Sequence, residues 1–255
     1  MLNQNQGMMK MKISTVLFDL DGTLLPMDQD VFIKAYFGGL VRKLMPHGYD
    51  KDAVIGAIWT GTKAMVKNSG DRFNKEAFWE EFCKIFGKKA IDDIPLFDEF
   101  YANDFCHVQK SCGYTPKATE AVNKIKDMGF RVALATNPLF PSTATEQRIA
   151  WAGLSPYDFE LFTTYENSHY CKPNPDYYRE VMAKLGVAPE ECLMVGNDVA
   201  EDMVAEEFGA KVFLLTDCLI NKDGKDISQY PNGSFDELLE YVLLLNKTID
   251  DNYLN

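Results

Sequence analysis

The stretch Ile13-Ser14-Thr15-Val16-Leu17-Phe18-Asp19-Leu20-Asp21-Gly22-Thr23 starts as an apolar, partly β-branched run and ends on two acids two positions apart. A short run of this kind, closed by polar residues and a glycine, predicts a buried strand with the acidic pair at its C-terminal end. Carboxylates at i and i+2 leaving a strand point the same way, and Gly22 lets the chain turn sharply behind them. A bare D-x-D is common in loops. Its weight depends on what the remaining strands bring to the same edge.

Further runs at Phe130–Thr136, Asp158–Thr163, Cys192–Val195 and Val212–Leu215 read as strands. Helical patterns separate them: Pro116–Met128, stopped by Gly129; Ser142–Ala152; Pro175–Leu185, stopped by Gly186; and a short segment ending at Gly209. A last amphipathic helix starts at Ser234, whose hydroxyl can cap it. Strand–helix alternation at this spacing predicts an α/β fold with a mostly parallel sheet covered on both faces. Residues 27–111 break the pattern. They hold helical segments such as Val31–Leu44, Asp52–Val66 and Lys75–Phe86, contain Trp59 and Trp79, and show no convincing strand. A helical insertion after the first strand is the simplest explanation, since the stretch far exceeds an ordinary βα loop.

The 255 residues, 46% hydrophobic and 25% charged, suit a core with an inserted unit. The formal net charge of −12 repels nucleic acid, so a nucleic-acid partner is not expected. It also repels anionic substrates, so a phosphate site needs local positive charge. Six cysteines without a C-x-x-C pair are expected to be reduced thiols. No apolar run reaches the roughly 18 residues that cross a bilayer. Residues 1–12 read as a flexible leader, with Met8, Met9 or Met11 as possible starts, and no signal peptide is expected. A cytoplasmic location and no membrane partner follow as expectations.

Every other polar candidate falls at the strand edge that carries Asp19 and Asp21. Thr136 and Asn137 end the second strand, Lys172 lies in a loop after the third, and Asp198 and Asp202 follow the fourth. In an open α/β sheet that edge is where ligands bind. Converging carboxylates repel one another unless a cation joins them, and hard oxygen donors suit Mg²⁺. With a metal and Lys172 lowering the repulsion, a carboxylate can attack phosphorus. The residues therefore point to phosphoryl transfer.

In this set the chain resembles the haloacid dehalogenase superfamily, in its phosphatase branch. Four motifs match in order: Asp19-Leu20-Asp21-Gly22-Thr23-Leu24, Thr136 with Asn137, Lys172 in Cys171-Lys172-Pro173, and Gly196-Asn197-Asp198 with Asp202. The resemblance implies a Rossmann-like core over 13–26 and 112–255, with 27–111 as a helical cap domain. It also implies that Asp19 becomes an aspartyl-phosphate and that Asp21 is the general acid/base and gives a backbone carbonyl to Mg²⁺. Thr136 and Asn137 would hold phosphoryl oxygens, and Lys172 would neutralise Asp19 and the phosphoryl group. Asp198 would complete the metal site, with Asp202 orienting it from behind; Asn197 and Glu201 compete for that role. The implied reaction is Mg²⁺-dependent hydrolysis of a small phosphorylated metabolite. A sugar-phosphate mutase is the alternative, and a catalytically idle binding module a third reading. Asp21 with Asp198 argues against carbon–halogen chemistry. The ester and the oligomeric state are not readable from the sequence. His47, His107 and His169 are not expected to be catalytic, and Trp59 and Trp79 are expected in the cap's own core. Lys43, Lys63 and Lys67 are candidates to read a distal anionic group, although a solvated helix face is the plainer expectation.

Overall fold

The computed structural model describes residues 13–250, with side chains through residue 245, so the expected leader lies outside the described residues. Five parallel strands, β1 (Thr15–Phe18), β2 (Arg131–Leu134), β3 (Cys192–Gly196), β4 (Lys211–Leu215) and β5 (Asn232–Gly233), stand in the order β2-β1-β3-β4-β5. The central strands are buried along their whole length, as expected of a parallel sheet covered on both faces. Alternate residues supply two separate cores. Val16, Phe18, Leu193 and Val195 belong to one, and Leu17, Ala133, Met194 and Val212 to the other.

Between β1 and β2 the chain runs through α1 (Gln29–Leu44), α2 (Lys51–Val66), α3 (Asn74–Phe86), α4 (Lys88–Asp92), α5 (Ile94–Glu99) and α6 (Pro116–Asp127). Asp28 and Asp50 cap α1 and α2, each accepting two backbone N–H groups, which fixes where the helices begin. No strand interrupts the segment from α1 to α5. Its two ends meet, because Met27 and Cys112 form an antiparallel bridge and Gly113 N donates to Pro26 O at 2.7 Å. These helices share the first core with one face of the sheet. Phe105, in a 3₁₀ turn, stacks on Trp151 at 5.2 Å between ring centroids.

The crossovers after β2 use α7 (Ser142–Trp151) and α8 (Pro175–Leu185), and α9 (Phe235–Asp250) packs back against the sheet. Pro175 and Gly186 bound α8 as the sequence predicts, with Gly186 at φ +66°, and the Asn174 side chain caps its start. The expected strand over Asp158–Thr163 does not form as such. Pro156 and the Asp158 side chain, which accepts from Ser155 N at 2.8 Å, fold Pro156–Asp158 into a 3₁₀ turn. Residues 160–163 then run beside β2 through three backbone hydrogen bonds, but only Leu134 and Phe162 form a bridge. The segment before Gly209 is likewise a 3₁₀ helix, Met203–Phe208. Strand order reverses at β1, with β2 on one side and β3 on the other. The C-terminal end of β1 therefore lies at the switch point where such sheets open a crevice.

Candidate active site

Asp19 follows β1 directly, and its N–H donates to Val195 O of β3 at 2.9 Å. One oxygen of its carboxylate is held, since Lys172 Nζ donates to Oδ1 at 2.8 Å; Thr23 Oγ1 lies 3.2 Å from Oδ2, but its single proton has a nearer acceptor in Asn197. Lys172 is 1% exposed and also donates to Asp202 Oδ1 at 2.6 Å. Burial alone favours the neutral amine, but the charges of Asp19 and Asp202 outweigh it and hold the lysine well above its ordinary pKa. A buried ammonium bracketed by two carboxylates offsets part of their charge but leaves the three groups net negative, so further positive charge is needed to admit an anion.

The loop after β3 is arranged around Asp202. Its Oδ2 accepts from Asp198 N at 3.0 Å, and a Cβ on Gly196 would collide with this carboxylate. Gly196 is thus required by close approach. Asp198 Oδ1 accepts from Ala200 N and Glu201 N at 2.7 and 3.0 Å, so one of its oxygens caps the turn. Asn197 is turned to another task. Its Oδ1 accepts from Thr23 Oγ1 at 2.9 Å and its Nδ2 donates to Cys218 O at 2.7 Å. Packed against Gly22, it ties the loop after β3 to the loop after β1. Glu201 accepts from Asn137 Nδ2 at 3.0 Å. Burial pushes its carboxyl up to about 7; Lys172 opposes the shift, while Asp202 and Asp198 add to it.

Asp21 has a partner that the strand-end motifs do not contain. Arg148 of α7, fully buried, donates from Nη1 to Asp21 Oδ2. The same guanidinium lies 4.5 Å from the centroid of the Phe140 ring and donates to Thr145 Oγ1 at 3.2 Å. Asp21 Oδ1 is buried and has no hydrogen-bond partner among the described residues. Burial raises the Asp21 pKa above the ordinary carboxyl value, Arg148 works against the rise, and the charge of Asp19 adds to it. The signal in the sequence was positional. Arg148 shares a helical stripe with Ala144, Thr145 and Ile149, all buried, and a cation on an apolar stripe needs a buried anion.

Thr136 is buried, and its carbonyl accepts from Thr163 Oγ1 at 2.6 Å and Tyr177 OH at 2.8 Å, which fixes the loop after β2. Asn137 Oδ1 accepts from Lys172 N at 3.3 Å, so the Asn137 amide bridges Lys172 and Glu201. Asn74 at the start of α3 reaches the same loops from the helical segment. Its N–H donates to Ser168 O at 2.9 Å, and its Nδ2 lies 3.3 Å from Tyr170 O and 3.5 Å from Pro138 O.

The other sequence candidates stay outside this cluster. His47 and His107 are exposed, and His169 stacks on Phe73 and bonds Glu180. Lys43 is paired with Glu99 and Asp104, while Lys63 and Lys67 are exposed. Trp59 is not in a core as expected but 49% exposed. All six cysteines are free. Among the described residues, no three His, Cys, Asp or Glu side chains converge as a ready metal cage, and no helix is long and apolar enough to cross a membrane. The donors at the strand ends, the carboxylates of Asp19 and Asp198 and the backbone carbonyl of Asp21, are hard oxygens. They fit in kind an ion such as Mg²⁺, which takes one or two carboxylates and keeps several waters.

A sequence model of haloacid dehalogenase-like hydrolases matches residues 13–209, a span that includes every group in this cluster. The chain is 25% identical over 201 residues to a pyrophosphatase PpaX of Bacillus cereus, covering 79% of this chain and 82% of that one. It is 25% identical over 199 residues to a phosphoglycolate phosphatase of Aquifex aeolicus, covering 78% and 83%. Among solved structures, a HAD phosphatase from Thermococcus onnurineus superposes with a TM-score of 0.55 at 20% identity, over 91% of this chain and 98% of that one. A 2-haloacid dehalogenase from Pseudomonas syringae does so at 0.60 and 18% identity, over 91% and 98%. The two structures share the fold, whatever their chemistry, and the sequence model spans most of the chain, residues 13–209: this chain belongs to the haloacid dehalogenase-like hydrolases.

Proposed function

We propose that the protein is a Mg²⁺-dependent phosphatase that hydrolyses a small phosphomonoester in two steps. The observation that carries this reading is the different setting of the two acids. Asp19 is fixed by a buried ammonium at Oδ1, whereas Asp21, tied to Arg148 at Oδ2, keeps its other oxygen buried and without a partner. The first setting suits a fixed nucleophile and the second a group that passes a proton. In the first step an Asp19 oxygen bonds to phosphorus as the ester oxygen leaves with the proton of Asp21. In the second, water attacks the aspartyl-phosphate while Asp21 takes its proton, and inorganic phosphate departs from a regenerated Asp19. Lys172 offsets charge on Asp19 and on the transferring group, and Thr136 and Asn137 line the loop that faces the phosphoryl oxygens. Asp19, Asp198 and the Asp21 carbonyl would hold Mg²⁺, with Asp202 orienting Asp198; the ion supplies further charge neutralisation at the phosphoryl group.

The helical segment 27–111 acts in this reading as the cap domain, with the paired strands at Pro26–Met27 and Cys112–Gly113 as its stem and 13–26 with 112–255 as the core. The names of the relatives, a pyrophosphatase and a phosphoglycolate phosphatase, support a small phosphorylated compound as the substrate. Six free thiols agree with a cytoplasmic setting. The test is phosphate release from p-nitrophenyl phosphate and a panel of natural esters. Turnover should require Mg²⁺, stop with EDTA, and vanish in Asp19→Asn. Activity indifferent to EDTA, or retained in Asp19→Asn, contradicts the proposal.

A further inference from the structure

A cavity of about 100 Å³ lies among α1, α2, α3 and α5 and the core residues Leu139, Phe140 and Tyr165. Its walls are aromatic and aliphatic, with Tyr36, Phe37, Trp59 and Trp79 prominent, and none of the lining residues is charged. The few polar groups are neutral. Tyr36 and Tyr101 bond each other at 2.7 Å between hydroxyls, and burial pushes the Tyr36 phenol up to about 12 and that of Tyr101 well above its ordinary value. The half-exposed Trp59 ring forms part of the rim.

The position of the cavity gives it a role. Phe140 forms part of its wall and stacks on Arg148, and Arg148 holds Asp21. Phe140 and Arg148 thus link the cavity wall to the proton donor, Asp21. In a displacement at phosphorus, the group beside the proton donor is the leaving alcohol. Arg148 is committed to Asp21, and the exposed Lys75, whose Nζ is 5.9 Å from the Tyr165 ring, is not part of the lining. A second anionic group on the leaving alcohol would meet apolar, uncharged walls.

Resting on the phosphatase reading above, we infer that this cavity receives the leaving group of the substrate, and that the substrate is a monoester of a small uncharged apolar alcohol rather than a compound with a second anionic group. The volume bounds the size. At about 30 Å³ for a small molecule in a liquid, it takes roughly three or four non-hydrogen atoms, less than the ~150 Å³ engineered cavity that accepts benzene.

The experiment is a kinetic series of methyl, ethyl, propyl, butyl and hexyl phosphate, with phosphoglycolate and inorganic pyrophosphate alongside, each with Mg²⁺. The alkyl alcohols beyond methanol have similar leaving ability, so the series reports burial. We expect kcat/KM to rise about threefold to fourfold per methylene up to butyl and then level off. Phosphoglycolate and pyrophosphate, which carry a second anionic group, should both fall below propyl phosphate. Trp59→Ala should flatten the rise. Thr62→Arg, which places a cation in the lining, should move the preference towards phosphoglycolate. Turnover of the alkyl esters with no dependence on chain length, or a preference of the unaltered protein for phosphoglycolate or pyrophosphate, overturns the assignment and leaves the phosphatase reading standing. No turnover of any ester overturns the phosphatase reading and this inference with it.

Discussion

The strand ends and the helices that face them are made of opposite materials. At the strand ends, Asp19 and Asp202 bracket Lys172, Asp202 holds the backbone of Asp198, and Glu201 accepts from Asn137. Across from them, the wall from Tyr36 to Trp79 is aromatic and uncharged. Arg148 stands between the two, with Asp21 on one side and the Phe140 ring on the other. The contrast assigns different work to each region. Fixed charge in a dry site acts on the developing charge of the reaction, and cannot be varied without harm. An apolar wall selects by fit and area, and tolerates change.

If that division holds, substitutions should hurt in order of their closeness to the fixed charges. Lys172→Met should be the most damaging. It leaves Asp19 and Asp202 buried without their cation, at a cost of about 3–5 kcal/mol, and should lower kcat by about a thousandfold or more. A melting curve and a steady-state assay check both; a stable, active variant breaks the picture of a charge-held centre. Arg148→Met should cost about 3 kcal/mol, at the lower end because the Asp21 side chain is 21% exposed, and reduce kcat by about a hundredfold. Arg148→Lys should restore part of the stability but less of the rate, because an ammonium lacks the planar fork.

Glu201 offers a pH test that needs no substrate. Its folded pKa of about 7 lies above the ordinary 4.5, so the folded chain holds this proton more tightly than the unfolded chain. Its contribution to stability is therefore fully present below about pH 4.5 and is lost as pH rises through 7. That amounts to on the order of 3 kcal/mol. In EDTA-treated protein, the melting temperature should fall between pH 5 and 8, and Glu201→Gln should flatten the fall. An unchanged profile removes Glu201 from the buried acid cluster. The smallest effects belong to the outer face of the helices. Lys63→Ala and Lys67→Ala should shift stability by less than about 0.5 kcal/mol and leave KM for alkyl phosphates unchanged.

The two regions also differed in how far the sequence revealed them. Asp19, Thr136 and Asp198 fall just beyond strand ends as the sequence predicts, because each follows a short buried run and parallel strands bring such ends to one edge, whereas Lys172 lies in the loop after a strand that does not form. Glycines located helix ends nearly to the residue, as at Gly186. The extra strand over Asp158–Thr163 was overread, since apolar periodicity does not register how many residues a proline-led turn consumes. Arg148 was missed because its partner lies 127 residues away in sequence, and a helical stripe shows an odd residue without showing what it meets. Trp79 packs in the helical core as expected, and Trp59 departs from that expectation for a related reason. Periodicity marks which face is apolar, but whether facing helices close the space between them depends on side chains from several elements. Asn197 shows the limit within a motif. It sits beside Asp198 in sequence, and only the structure shows its amide spent on Thr23 and Cys218.

All of this depends on Asp19 as the atom-bonding member of the pair. The most direct measurement is acid quenching of the protein during steady-state turnover of a phosphate ester, followed by borohydride reduction and mass spectrometry of the peptide that contains residues 13–26. The account predicts a phosphorylated, borohydride-reducible Asp19 that disappears in Asp19→Asn and that, with p-nitrophenyl phosphate, whose leaving group needs no proton, builds up in Asp21→Asn, where water is no longer activated. Steady turnover with no modification at Asp19, or a phosphoryl label on another residue, would contradict it.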